Sequence, residues 1–547
     1  MRTLIENGWI VDGSGQPRFK ASLVVADELI DGIGTVERSN GFDRVIDADG
    51  LIVAPGFIDT HSHSDLEVML NPYVEAKIRQ GVTTELLGQD GISMAPLPKR
   101  YISPWRKNLA GLDGDSDELD WDYETTDGYL QALEQTGVGL NESYLVPHGN
   151  IRMEAMGLDN RAPTADELER MREITRREME TGAFGLSTGL IYMPCAYADT
   201  SELIELCKVV AEFDGAFVVH QRSEADSILT SMKEVIDIGR KSGVKIHFSH
   251  FKVCGRKNWT LIDNVLELLD EAAAEGIRTS FDQYPYVAGS TMLGVILPPW
   301  AHDGGTDRLL ERLQSSELRK RMIHDIEQGI PGWDNFVDFA GVDQIFVTSV
   351  KSELNRDLVG KSLEEIGDLR GRSPLDAAFD LLLAEENAVA MVDFYGLEKH
   401  VVRFLTRPEQ NVCTDGLLGG KPHPRVFGSF PRVLGKYVRQ EQALTLEDAI
   451  RKMTSKPAQV FGFERRGVLK TGNFADIAVF NPLTIIDKGT FVDPIQFPQG
   501  IEHVIVNGHA VLSEGRYRRE LAGRVLRKYP PRRSTNVQPA SSTKCWG

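Results

Sequence analysis

Short apolar runs broken by turn residues fill the first fifty positions: TLIENGWIVDGSG, ASLVVADELIDGIG and RVIDADGLIVAPG. This is the pattern of a β-meander. The same texture returns late in the chain, in GVLKTGNFADIAVFNP and IEHVIVNGHAVL. Two β-rich stretches at opposite ends are expected to form one small β-sandwich domain, residues 1–55 together with 461–515.

Between them the pattern changes. Apolar strand-like runs alternate with amphipathic helical stretches, which predicts parallel strands joined by crossover helices. Eight strand candidates stand out: LIVAPGFIDTHSH, GVTTELLGQDG, SYLVPHGN, GAFGLSTGL, AFVVHQRS, VKIHFSHFK, RTSFDQYPY and QNVCTDG. Helical stretches such as ADELERMREITRREMETG and TLIDNVLELLDEAAAEG follow several of them. Eight such units predict an α/β fold, a (β/α)8 TIM-like barrel over residues 56–460. A long excursion from about Gly289 to about Arg407 separates the seventh and eighth strands. Its Gly- and Pro-rich start is expected to form a lid-like insertion at about 289–350. Residues 516–547 end in YPPRRSTNVQPASSTKCWG and are expected to form a loose tail.

Composition narrows the class of function. Apolar residues make up 41% and charged residues 26%, as in a soluble globular protein. The formal net charge of −19 disfavours nucleic acid as a partner, because phosphate contacts need clustered Lys and Arg. The basic group Arg516, Arg518, Arg519, Arg524, Arg527 and Lys528 reads as a solvated face. No run approaches the roughly 20 apolar residues that span a bilayer, so no membrane partner is expected. The five cysteines are odd in number and scattered, which fits a reducing, cytoplasmic setting.

Candidate chemistry lies in the position of the histidines. Of twelve, His61 and His63 follow the first strand, His148 the third and His220 the fifth, and His250 ends the sixth. Asp415 ends the eighth. In a parallel barrel these ends share one rim, so residues distant in sequence converge. His61 and His63 also share a face, since extended chain repeats every two residues. Imidazoles and a carboxylate on one rim are what a Zn2+-type site requires. His247 belongs to the sixth strand but not to its end, and serves as the control.

At this point a family resemblance is specific. VAPGFIDTHSHSD resembles the metal-binding opening of the amidohydrolase superfamily. GAFGLSTGLIYMPCAYADTSEL, HQRSE, HFSHFKV, FDQYPYVAGST and SKPAQVFGFERRGVLKTGNFADIAVFNP look like the N-acyl-D-amino-acid deacylase, or D-aminoacylase, branch. The resemblance implies a barrel with a β-domain from both chain ends and a site for one or two zinc ions. It implies His61, His63 and Asp415 around one metal and His220 and His250 around the second. The family pattern carries a cysteine after the second strand, in a motif like NCGIS. Here the stretch is GQDGIS, so Asp90 stands in that place. A carboxylate is a harder ligand than a thiolate, which admits divalent metals other than zinc. Cys413 is given a packing role.

The resemblance further implies a linear-amide hydrolase acting on a small N-acyl-D-amino acid. Asp415 would serve as general base and acid, taking a proton from the attacking water and handing one to the leaving amine. Lys252, Tyr284 and Arg425 match family positions that hold the substrate carboxylate. His148 is a further candidate near the carbonyl. Two alternatives stay open. One is a cyclic amidase of the dihydroorotase or hydantoinase kind, against which the fourth strand's GLSTGLIY counts, since it lacks a lysine to bridge two metals. The other is an inactive barrel that acts as a binding protein. A homo-oligomer is compatible with either.

Overall fold

The computed structural model describes residues 1–36 and 41–528. Eight strands form one parallel set: β1 (Phe57–Asp59), β2 (Val82–Leu87), β3 (Asn141–Tyr144, resuming at Val146–Pro147), β4 (Gly185–Gly189), β5 (Ala216–His220), β6 (Lys245–Phe248), β7 (Thr279–Gln283) and β8 (Gln410–Val412). Each pairs in parallel with the next. The circle closes just beyond β8, where Gly416 and Leu417 pair in parallel with Ser62 and His63 beyond β1. The barrel expected from the sequence is therefore formed, and all eight C-terminal ends open onto one rim.

The helices outside follow from local patterning. Ala165–Glu180 begins with a capping box, in which the Thr164 side chain and the Glu167 side chain satisfy each other's backbone N–H groups. Such a cap contributes about 1 kcal/mol. Met171, Ile174 and Met179 form its buried stripe and join Leu186 and Phe217 of the barrel in one core.

The run LIVAPGFIDT behaves differently from the single strand its apolar pattern predicts. Ile52–Pro55 pairs with Ile477–Phe480 and with Trp9–Ile10, inside the small domain. Only Phe57–Asp59 enters the barrel. The break is Gly56, where a Cβ would lie 2.2 Å from Thr83 Oγ1. Only glycine lets the chain cross β2 that closely and change sheets.

The small domain is a sandwich built from both chain ends. One sheet holds Arg2–Glu6, Ser22–Ala26, Leu29–Gly34 and Arg44–Asp47. The other combines N-terminal strands with Ile477–Phe480, Ile501–Val506 and His509–Ser513. Ile5, Leu23 and Ile46 pack with Val53, Ile477 and Ile505 between them.

Between β7 and β8 the chain builds an antiparallel sheet from Ala288–Met292, Ile345–Val350 and Val389–Phe394, with helices between the strands. At the far end, Arg516–Tyr517 adds to the small domain's sheet. The following residues lie along the start of β3, where Glu142 N donates to Arg524 O at 2.8 Å and Leu526 N to Glu142 O at 2.7 Å. Arg524 pairs with Glu28, and Arg527 with Asp127 and Glu134, so these basic residues are neutralised by acids of the same chain. Residues 529–547 of the expected tail lie outside the described residues. No helix among the described residues is long and apolar enough to cross a membrane.

Candidate metal centre

The rim brings His61, His63, Asp90, His220, His250 and Asp415 together. His61 Nε2 lies 3.7 Å from Asp90 Oδ1 and 3.7 Å from Asp415 Oδ1. His63 Nε2 lies 3.5 Å from Asp90 Oδ2 and 3.5 Å from Asp415 Oδ1. Donor atoms about 2 Å from a tetrahedral ion stand about 3.4 Å apart, close to this spacing. His250 Nε2 is 3.7 Å from Asp90 Oδ1 and 2.9 Å from His220 Nδ1. Asp90 thus stands between the two histidine groups and touches both.

Three triads of potential donors can be drawn here: His61, Asp90 and His250; His61, His63 and Asp415; His220, Glu224 and His250. All are buried, with donor atoms in each triad within 4.8 Å of one another. Neither ring nitrogen of His61 has a hydrogen-bond partner among the described residues, and Asp90 Oδ1 has none. Buried polar atoms are almost always satisfied. Orphaned lone pairs on an imidazole and a carboxylate, facing one point, fit a cation. Burial pushes His61 and His220 down to about 4, so both rings are neutral and can offer lone pairs.

The backbone is bent to present these groups. Asp90 (φ 55°), His250 (φ 37°) and Asp415 (φ 48°) all occupy the left-handed region. A non-glycine residue there costs of order 1–3 kcal/mol and clusters at functional sites. Around Asp90 the GQDG turn packs hard on β4, since a Cβ on Gly91 would lie 2.7 Å from Cys195 Sγ and from Thr188 Cα.

A second ring of contacts fixes the ligand-type groups. His63 Nδ1 meets Asp113 Oδ1 at 3.1 Å, which orients the ring. Glu224 sits 3.2 Å from His250 Nδ1 and 3.8 Å from His220 Nε2. Burial opposes its charge, but Lys252 with His220 and His250 holds it down at about 2. Lys252 Nζ is 2.6 Å from Glu224.

Arg425 Nη1 lies 2.9 Å from Asp415 Oδ2, and its guanidinium stacks 4.3 Å from the Tyr284 ring centre. The contact with Asp415 is an ion pair without hydrogen-bond alignment: Arg425 Nε and Nη1 have no acceptor among the described residues. Tyr284 Oη bonds Tyr395 Oη at 2.6 Å. These groups and the metal-type residues line one cavity. The insertion between β7 and β8 supplies part of its wall through Ser290, Phe336, Asp393 and Tyr395.

His148 does not join them. Its Nδ1 meets Thr188 Oγ1 at 2.9 Å and its Nε2 meets Glu202 Oε1 at 2.8 Å, so both nitrogens are used on β4 and the next helix. A place near the substrate carbonyl is not what this geometry offers. His247, the control, bonds Ser280 and Asp282 in the same self-contained way. Cys413 is buried, with Sγ 3.5 Å from Asp282 Oδ1.

Against this geometry stand the comparisons. The amidohydrolase family model matches residues 44–249 and 368–512. The chain belongs to the amidohydrolase family. This amidohydrolase is 35% identical over 524 residues to the D-aminoacylase of Alcaligenes xylosoxydans xylosoxydans, covering 96% of this chain and 97% of that protein. It is also 35% identical to that organism's N-acyl-D-glutamate deacylase, over 96% of both chains. Among solved structures it resembles the N-acyl-D-glutamate deacylase of Bordetella bronchiseptica, complexed with zinc and a phosphonate that mimics the tetrahedral intermediate. That match has a TM-score of 0.81 and 35% identity, and covers 96% of this chain and 99% of the other.

Two residues of this amidohydrolase's centre escaped the sequence reading. Glu224 lies four residues past His220, in HQRSE, and that short spacing was the available signal. Asp113 lies in the polar stretch LDGDSD, where nothing separates it from its acidic neighbours.

Proposed function

We propose that this chain hydrolyses N-acyl-D-amino acids to a carboxylate and a free D-amino acid, using a divalent metal, zinc foremost. The observation that carries the reading is the convergence of His61, His63, Asp90, His220, His250 and Asp415 on one cavity, with donor atoms left unpartnered. The relatives' activities and the zinc of the Bordetella enzyme support it. Bound zinc would supply an acidified water and a Lewis acid for the scissile carbonyl.

The chain's own residues do the rest. Asp415 takes the proton of the attacking water and delivers it to the leaving amine. Arg425 holds Asp415 Oδ2, which leaves Oδ1 toward His61 and His63. The unaligned donors of Arg425, with Lys252 and Tyr284, receive the substrate carboxylate. Asp90 shares its two oxygens between the histidine groups, and its all-oxygen character makes Mn2+ or Co2+ workable substitutes. Asp113 fixes His63, and Glu224 fixes His250.

The test is direct. Chain stripped of metal and reloaded with zinc is offered a panel of N-acetyl-D-amino acids and their L-enantiomers. Release of amine from D-substrates only, restored by zinc, is expected. No release from any D-substrate overturns the reading.

A further inference from the structure

Asp282, on β7, belongs to none of the three donor triads, yet it is fully buried against them. Its Oδ1 accepts from His250 N at 2.5 Å, and Cys413 Sγ lies 3.5 Å from the same oxygen. Its Oδ2 accepts from Thr60 Oγ1 at 3.0 Å and meets His247 Nε2 at 2.9 Å. Its backbone oxygen accepts from Phe251 N at 2.8 Å. His61 turns its ring nitrogens in opposite directions: Nε2 toward Asp90 and Asp415, and Nδ1 toward Asp282 Oδ2 at 4.0 Å.

One side chain thus reaches three of the segments that carry the centre. Thr60 precedes His61, Cys413 stands two before Asp415, and His250 is held directly. The left-handed backbone of His250 (φ 37°) is fixed at its own N–H by the Asp282 side chain and at the next by the Asp282 carbonyl. Every group that meets the carboxylate is a donor, which favours its charged form. A neutral oxygen would satisfy the same donors without the cost of a buried charge. The charge has a second use. At 4.0 Å it is too far for a hydrogen bond to His61 Nδ1, but it favours the ring's proton on that nitrogen. The lone pair is then left on Nε2, the nitrogen that faces Asp90 and Asp415.

We propose that Asp282 is a positioning residue of the metal centre. Its carboxylate fixes the backbone of His250 and selects the His61 nitrogen offered to the cation, while His247 and Thr60 hold it in place. Resting on the metal reading above, this makes metal affinity depend on a carboxylate that is not itself a ligand.

The experiment uses the full chain stripped of metal, with Zn2+ and Co2+ alone as probes. Asp282→Asn keeps the shape and removes the charge. Zinc affinity is read by competitive chelator titration, the Co2+ centre by its visible absorption bands, and folding of the metal-free chain by circular dichroism. Zinc affinity about 10–100-fold weaker is expected, with Co2+ bands that shift or lose intensity and a dichroism spectrum like wild type. A purely scaffolding Asp282 would move the unfolding midpoint and neither metal readout. Folded Asp282→Asn with wild-type zinc affinity and wild-type Co2+ bands overturns the assignment. If that variant does not fold, His247→Gln decides, since it loosens Asp282 and leaves its charge. A smaller loss of zinc affinity with altered Co2+ bands supports the assignment, and wild-type values in both overturn it. Hydrolysis is a separate readout. A wild-type chain that binds zinc but releases no amine from N-acetyl-D-amino acids overturns the deacylase reading and leaves the role of Asp282 standing. A wild-type chain that binds neither ion overturns both.

Discussion

Two buried polar clusters sit next to each other in this barrel and are built in opposite ways. In one, Lys77 Nζ lies fully buried and donates to Asp59 at 2.6 Å, Ser62 Oγ at 2.8 Å and Thr414 Oγ1 at 2.7 Å. All three ammonium protons are used, and the cation faces two buried carboxylates, Asp59 and, at 3.2 Å, Glu85. In the other, Asp90, Asp415, His61, His63, His220 and His250 converge as potential metal ligands. His61 and Asp90 keep orphaned atoms there. The first cluster brings its own positive charge; the second presents lone pairs that suit a cation. Ser62 lies between His61 and His63, and Thr414 precedes Asp415. The self-contained cluster thus holds in place the two chain segments that carry the incomplete one.

That contrast can be broken at either end. The largest effect is expected from Asp90→Ala, which removes the group joining both histidine pairs. Bound metal measured by elemental analysis should fall to background, and hydrolysis with it, while the metal-free fold persists. Unchanged metal content would remove Asp90 from the centre. Lys77→Met attacks the other cluster and leaves Asp59 and Glu85 buried without their ammonium partner. A loss of about 3–5 kcal/mol in denaturant unfolding is expected, as for breaking a buried pair from one side. An unfolding midpoint close to wild type would show that the Lys77 ammonium does not hold this cluster together.

Smaller changes sharpen the comparison. Asp113→Asn keeps the shape but loosens His63, so zinc affinity by competitive chelator titration should drop about 10–100-fold with little change in stability. Least of all for the metal is His148→Gln. Its partners Thr188 and Glu202 belong to the scaffold. Zinc affinity should be unchanged, while unfolding free energy falls by about 1–3 kcal/mol from unsatisfied buried partners. A lost metal in that variant would return His148 to the centre.

These residues also show how far the sequence could be read. The barrel was legible because strand-like stretches ending in turn residues alternate with amphipathic helical stretches. The centre was partly legible because five of its groups end such runs, where a barrel must gather them. His148 obeyed the same positional rule and yet turns to Glu202, because position on a rim does not fix where a ring points. Glu224 and Asp113 stayed hidden because their loops fold back onto the rim, and loop paths leave no periodic trace. Gly56 was invisible for a related reason: the apolar run on both sides of it is continuous, and only the packing against Thr83 requires two separate strands.

The most direct test of the central claim is a metal titration of hydrolysis. Stripped chain receives zinc in steps, and amine release from an N-acetyl-D-amino acid panel is followed against zinc bound per chain. Activity that is absent without metal and rises with bound zinc to a plateau at one or two ions is expected. Equal activity in the stripped chain, or stoichiometric zinc with no amine released from any D-substrate, would contradict it.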